Sequence, residues 1–181
     1  CTYDLTINKG KRCGTGRAYM NEAMKRQNLN IFLHSNVKKI LIENKIAKGV
    51  EINTNGKTET IFANKEVIIS CGSINSPKLL QLSGIGNEDD LKKLGINVVH
   101  HLPGVGRNLQ DHLEVYVQHE CLKPVTLHSL FTNPLIKAYH GIQWFLLNKG
   151  LLSHSHLEIG GFVRSAPEFD HPNIQFHFFP S

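Results

Sequence analysis

Residues 65–86, KEVIISCGSINSPKLLQLSGIG, leave this chain fewer structural options than any other stretch. The apolar run Val67-Ile68-Ile69 leads into Ser70-Cys71-Gly72-Ser73, and Ser76-Pro77 then opens a leucine-bearing segment that stops at Ser83-Gly84-Ile85-Gly86. Proline suits the first position of a helix, serine the cap before it, and glycine the left-handed stop after it. The pattern predicts a buried strand over 66–70, a glycine turn, and a short helix beginning at Pro77. Such a unit is where α/β proteins seat cofactors, because free N–H groups and the positive helix end attract phosphate and other electron-rich groups.

The flanking sequence alternates helical and extended patterns. Thr15 is placed to cap a helix over 16–27, in which Tyr19/Ala23 and Met20/Met24 form apolar pairs four residues apart. Strands are expected over 31–33, 37–42 and 46–52, with Glu43-Asn44-Lys45 as a turn. Asn55-Gly56 marks a hairpin that returns over 58–63. Asn87 caps a small helix with acids in its first turn, lysines in its last and Gly95 as its stop. Short strands are expected over 96–99 and 115–117, separated by a glycine-punctuated loop over 101–111. Asn133-Pro134 opens a helix to Lys149 with Leu135, Tyr139, Ile142, Phe145 and Leu146 along one face. Strands over 158–164 and 173–179 complete the pattern. The composition changes near residue 113 from an α/β mixture to aromatic- and histidine-bearing strands, which places a domain boundary between 113 and 114.

With 181 residues, 40% of them hydrophobic, the chain has the composition of one globular domain or slightly more. It begins at Cys1 and ends on a strand-like run, which suggests an internal piece of a longer protein. The formal charge of +5 is dispersed, and no basic stripe with interleaved aromatics supports nucleic-acid binding. The four cysteines lie far apart with no CxxC pair, arguing against a zinc site or a disulfide scaffold. No segment reaches the roughly 18–20 apolar residues that span a bilayer.

Two glycine patterns are weak dinucleotide candidates. Gly14-Thr15-Gly16 lacks a preceding buried strand, and Gly104-Val105-Gly106 lacks the third glycine and a following helix, so both read as turns. Eleven histidines raise the question of metal, but no HExxH or Cys/His box accompanies them. If 154–158 is a strand, His154, His156 and Glu158 share one face. From spacing alone, a solvated sheet surface ranks first for this row, an active-site wall second and a metal site third. Asp111-His112 is a charged pair in a loop, for which structural capping is the first reading and a pocket role the second, and no GxSxG elbow supports a hydrolase.

Residues 72–86 resemble, position for position, the second signature of the glucose–methanol–choline (GMC) oxidoreductases, flavoenzymes that oxidise alcohols with FAD. Gly10-Lys11-Arg12, Ala18-Tyr19 and Gly49-Val50-Glu51 extend the likeness upstream. DDLKKLGINVV, HLPGVGRNLQDHLE, HLEIGGFVRS and HPNIQFHFFPS extend it downstream and are similar to choline-oxidising members of the family. The pattern departs at Cys13-Gly14. The resemblance implies the later part of an FAD-binding Rossmann-like α/β domain over 1–113, followed by the start of a mixed or antiparallel-sheet α+β substrate domain over 114–181. It implies FAD as cofactor, with Val37 beside the adenine and Cys71, Gly72 and Ser73 beside the nucleotide ribose. His156 and Glu158 fall at substrate-cavity positions, where the glutamate faces the trimethylammonium group of choline. This raises the active-site-wall reading of the row above the solvated surface. The FAD phosphate fingerprint and the catalytic histidine are expected outside these residues, so the segment alone should be inactive. A quinone or other electron acceptor is implied, together with peripheral association at the mitochondrial inner membrane in animals or the cytoplasmic membrane in bacteria. The alternatives are a GMC enzyme acting on another alcohol or sugar, and an inactive product built from the same scaffold.

Overall fold

Three two-residue hairpins organise the strands, each with both central residues in the left-handed region that suits the twist of antiparallel strands. The computed structural model describes residues 4–123, 126–128, 132–155, 157 and 159–180. Lys9 and Gly10 (φ 50° and 68°) join β1 (Ile7–Asn8) to β2 (Lys11–Arg12). Asn44 and Lys45 (φ 50° and 64°) join β3 (Ser35–Glu43) to β4 (Ile46–Thr54), and Asn55 and Gly56 (φ 52° and 86°) join β4 to β5 (Lys57–Phe62). The sheet β3-β4-β5 is antiparallel throughout, with irregular register between Val37 and Lys39 and between Leu41 and Ile42. The expected strand over 31–33 is absent, since His34 adopts a left-handed φ of 54° that breaks the extended run before β3.

The signature forms α2 (Gly72–Leu82), preceded in the chain by the short helix α1 (Asn21–Ala23), which continues a π turn over Gly16–Met20. Thr15 does not cap that turn but is itself helical, and the helical stretch ends earlier than the expected 27. After α2 come β6 (Ile85–Gly86), α3 (Glu88–Lys93) and β7 (His100–His101), with β6 and β7 paired in parallel. The strand expected over 96–99 is therefore displaced to 100–101. Ile96 N–H instead returns to the Leu91 carbonyl, closing the end of α3. Leu91, at 1% exposure, is the most deeply buried side chain of this unit.

The strand expected over 66–70 does not form. A strand requires a neighbour to satisfy its backbone, and among the described residues nothing pairs with this run. Ile68 is 77% exposed. No strand forms over 115–117 either.

Contacts divide the chain into two units, Ile31–Val115 and Cys1–Asn30 with Tyr116–Ser181. The second contains α4 (Pro134–Leu147), capped by Asn133, whose side chain accepts from the Leu135 and Ile136 N–H groups. Its C-terminus is closed by Asn148 in the left-handed region. Trp144 Nε1–H donates to the Gly10 carbonyl at 2.9 Å, tying the first hairpin to this helix and explaining why residues near the start group with the later unit. The stripe Leu135, Tyr139, Ile142, Phe145 and Leu146 is exposed, while Ile136, His140, Gln143 and Trp144 are half-buried. The apolar face read from the sequence is thus not the face α4 buries in this unit. An antiparallel pair, β8 (Ile159–Val163) and β9 (Ile174–Phe178), completes the unit. The architecture is a mixture of α and β, as expected.

Candidate functional site

The first turn of α2 is built differently from the sequence-based expectation. The helix starts at Gly72, not Pro77, with Cys71 at the cap position. Gly72 has φ +83°, a conformation that costs an L-residue roughly 1–2 kcal/mol, and this lets the chain reverse from Cys71 directly into the helix. Pro77 consequently lies inside α2, where it has no N–H to give the Ser73 carbonyl. Ser76 compensates as a tie, not a cap: its Oγ accepts from the Cys71 N–H at 3.1 Å. Cys71, Gly72 and Ser73 are all exposed, so the helix presents its N-terminal N–H groups on an open surface.

Beside this turn lies an open cleft of about 570 Å³. Ser73, Ser76, Pro77 and Lys78 form one wall, and residues 104–110 form the other. The loop is held at two points. Gln81 Nε2–H donates to the Val105 carbonyl at 3.2 Å, and Arg107 pairs with Asp90 of α3. Neither Gln81 nor Arg107 was marked by the sequence. A polar residue among the leucines of α2 was the available signal for the first.

The other end of α2 is closed. Ser83 is buried, with its Oγ–H donating to the Leu79 carbonyl at 2.6 Å and its Oγ accepting from the Ile40 N–H of β3 at 2.8 Å. Gly84 (φ +85°) gives its carbonyl to the Val99 and His100 N–H groups, and an added Cβ would lie 2.4 Å from the Asn97 carbonyl oxygen. Val37 sits half-buried on β3, three residues before Ile40. The structure thus brings β3 and α2 together, with Val37 on the first and Cys71, Gly72 and Ser73 at the start of the second.

Two of the histidine positions have local structural explanations, whereas the buried His140 Nδ1 has no hydrogen-bond partner among the described residues. His101 Nδ1 accepts from the Glu88 N–H at 3.1 Å and so serves the first turn of α3. Asp111 accepts from the His112 N–H at 2.8 Å, a local loop cap. His154 ends a short 3₁₀ turn and precedes β8, so it is not part of that strand. His156 and Glu158 lie outside the described residues. No group of three or more metal-ligating side chains occurs among the described residues, and no described helix is long and apolar enough to cross a membrane.

The chain is 53% identical to human mitochondrial choline dehydrogenase over 178 residues, covering 98% of this chain and 30% of that protein. It is 48% identical to the oxygen-dependent choline dehydrogenase of Photobacterium profundum, covering 98% of this chain and 31% of that protein. It therefore spans about a third of the length of these relatives. Among solved structures, a formate oxidase variant from Aspergillus oryzae superposes with a TM-score of 0.79 at 26% identity, covering 97% of this chain and 34% of that one. An FAD-dependent oxidoreductase from Chaetomium thermophilum superposes with a TM-score of 0.70 at 31% identity, covering 81% and 26%. The model of the GMC oxidoreductase family matches residues 1–114, which contain the whole of α2, its exposed glycine turn and its buried SGIG end. On that match, the chain belongs to the GMC oxidoreductase family.

Proposed function

We propose that this chain contributes the nucleotide-flanking wall and part of the substrate wall of an FAD-dependent enzyme that oxidises choline to betaine aldehyde. The observation that carries the reading is the exposed start of α2, where Cys71, Gly72 and Ser73 face outward beside a cleft whose size suits part of an organic cofactor. The residues fit FAD in kind. The helix start offers backbone N–H donors, and the left-handed Gly72 adds no side chain to obstruct approach. Residues 1–113 belong, in this proposal, to an FAD-binding domain and 114–181 to a substrate-binding domain. Val37 contacts the adenine, while Cys71, Gly72 and Ser73 flank the ribose.

The chemistry supplied by bound FAD is acceptance of a hydride from the alcohol carbon. The protein's task is to position the alcohol and hold its cation. Glu158 is the proposed partner of the trimethylammonium group, which has no N–H to donate and is held by charge and aromatic faces. A carboxylate in a cavity that excludes water attracts that cation far more strongly than one exposed to solvent. His156 shapes the same wall. The high identity to choline dehydrogenases supports choline over a neutral alcohol. Electrons pass onward to a quinone or another acceptor, with the enzyme bound peripherally to a membrane, mitochondrial in an animal source.

The complete protein tests this directly. It should purify with a flavin absorption band and reduce an artificial acceptor when choline is added. Glu158→Gln should raise the choline KM about tenfold or more, with a smaller effect on kcat. A flavin-free protein would overturn the reading. An unchanged choline KM would remove Glu158 from the site and favour a neutral alcohol as substrate.

A further inference from the structure

The two proposed nucleotide walls lie on different elements, β3 and α2, and something must hold them in register. Among the described residues only β4 flanks β3 in its sheet, so its other edge needs partners. At Ile40, which is 6% exposed, that partner is the Ser83 hydroxyl, just beyond the last turn of α2. Ser83 also donates to the Leu79 carbonyl, which orients the hydroxyl so that its lone pair faces the Ile40 N–H. One buried side chain thus serves an acceptor on its own helix and a donor on the strand. The 11 residues of α2 span about 16 Å. A rod of that length, pivoting at its buried end, converts a small change of tilt into a larger displacement at Cys71, Gly72 and Ser73.

We infer that Ser83 is a positioning residue for the cofactor: its hydroxyl fixes the tilt of α2 against β3 and thereby sets the separation between Val37 and the start of α2. The inference rests on the FAD reading above. Ser83 touches no cofactor atom in this account and acts through the two elements it joins. Removing the hydroxyl leaves a buried N–H without a partner, which the structure can relieve only by letting β3 and α2 separate or by admitting water.

The test uses the complete protein, stripped of flavin and titrated with FAD while flavin fluorescence is followed. Ser83→Ala should weaken FAD binding roughly tenfold, the order expected when one buried donor loses its partner. Ser83→Thr, which retains the hydroxyl, should restore most of the affinity. Thermal denaturation of the flavin-free forms separates a positioning role from a merely structural one. If Ser83→Ala lowers the melting temperature yet binds FAD like the wild type at a temperature where both are folded, the inference is overturned. Should Ser83→Ala fail to fold, Ser83→Cys decides by the same titration, and wild-type affinity in that variant would count against the hydroxyl. A wild-type protein that binds no FAD would overturn the cofactor reading and this inference together.

Discussion

The two ends of α2 contain similar residues, Gly72-Ser73 at one and Ser83-Gly84 at the other, yet they are built for opposite purposes. Gly72 and Gly84 have almost the same backbone angle, φ +83° and +85°. A Cβ on Gly72 would meet nothing within 4 Å, whereas one on Gly84 would collide with the Asn97 carbonyl and the Val99 side chain. Ser73 is exposed beside the cleft, and Ser83 is buried with two hydrogen bonds. The first glycine is required by conformation alone, the second by conformation and by packing. What looks like one motif is an open, exposed end and a buried structural hub joined by a helix.

That contrast can be broken experimentally. Gly84→Ala should be the most damaging change, costing about 4 kcal/mol because backbone strain and a collision with main chain add together. Chemical denaturation of the complete protein would show it as a lowered midpoint, and a near-wild-type midpoint would mean that the hub is not closed. Gly72→Ala should cost only about 1–2 kcal/mol of stability, the strain of the left-handed conformation. Its main effect should appear in FAD titration as weaker binding. An equal stability loss in both variants would erase the distinction between the two ends.

Asn87 tests the hub from its next element. Its side chain accepts from the Asp89 and Asp90 N–H groups, so Asn87→Ala should cost about 1 kcal/mol with FAD affinity retained. The smallest effect should come from the exposed Glu88–Lys92 pair on α3. The hydrogen bond from Lys92, and then its positive charge, hold the Glu88 carboxyl below its ordinary value, while the same hydrogen bond, and then the negative charge of Glu88, raise Lys92. The contribution of Glu88 is therefore present above the ordinary carboxylate range and lost as pH falls through its lowered value. That of Lys92 is present below the ordinary lysine range and lost as pH rises through its raised value. Wild type and Glu88→Gln should differ slightly at neutral pH and converge in acid, as read by denaturation midpoints across pH. Solvent screening keeps this difference small.

Much of the fold was legible where the signals are local. Asn55-Gly56 and Asn44-Lys45 became hairpin turns, Asn87 capped α3, and Asn133-Pro134 opened α4. Each depends on atoms within a few residues. The failures have the opposite character. The run over 66–70 is apolar and extended in preference, but a strand exists only beside another strand, and none pairs with it among the described residues. The start of α2 lies five residues before Pro77, a strong initiation signal overridden here by Gly72 and the Ser76 tie to Cys71. The apolar stripe on α4 follows from the sequence pattern, but which side the unit buries depends on Trp144 reaching Gly10, residues far apart in the chain.

By itself, the sequence determined the family, the helix that carries its signature and the turns that join its strands. These follow from side-chain type and spacing within short windows, where local steric and hydrogen-bonding rules operate. Only the tertiary structure decided that one end of that helix is open and the other closed. The closed end at Ser83 and Gly84 depends on Ile40, Asn97 and Val99, which reach it through space and not along the chain, whereas nothing among the described residues lies within 4 Å of a Cβ built on Gly72. A serine beside a glycine has the same local chemistry in either place, and its surroundings assign its role.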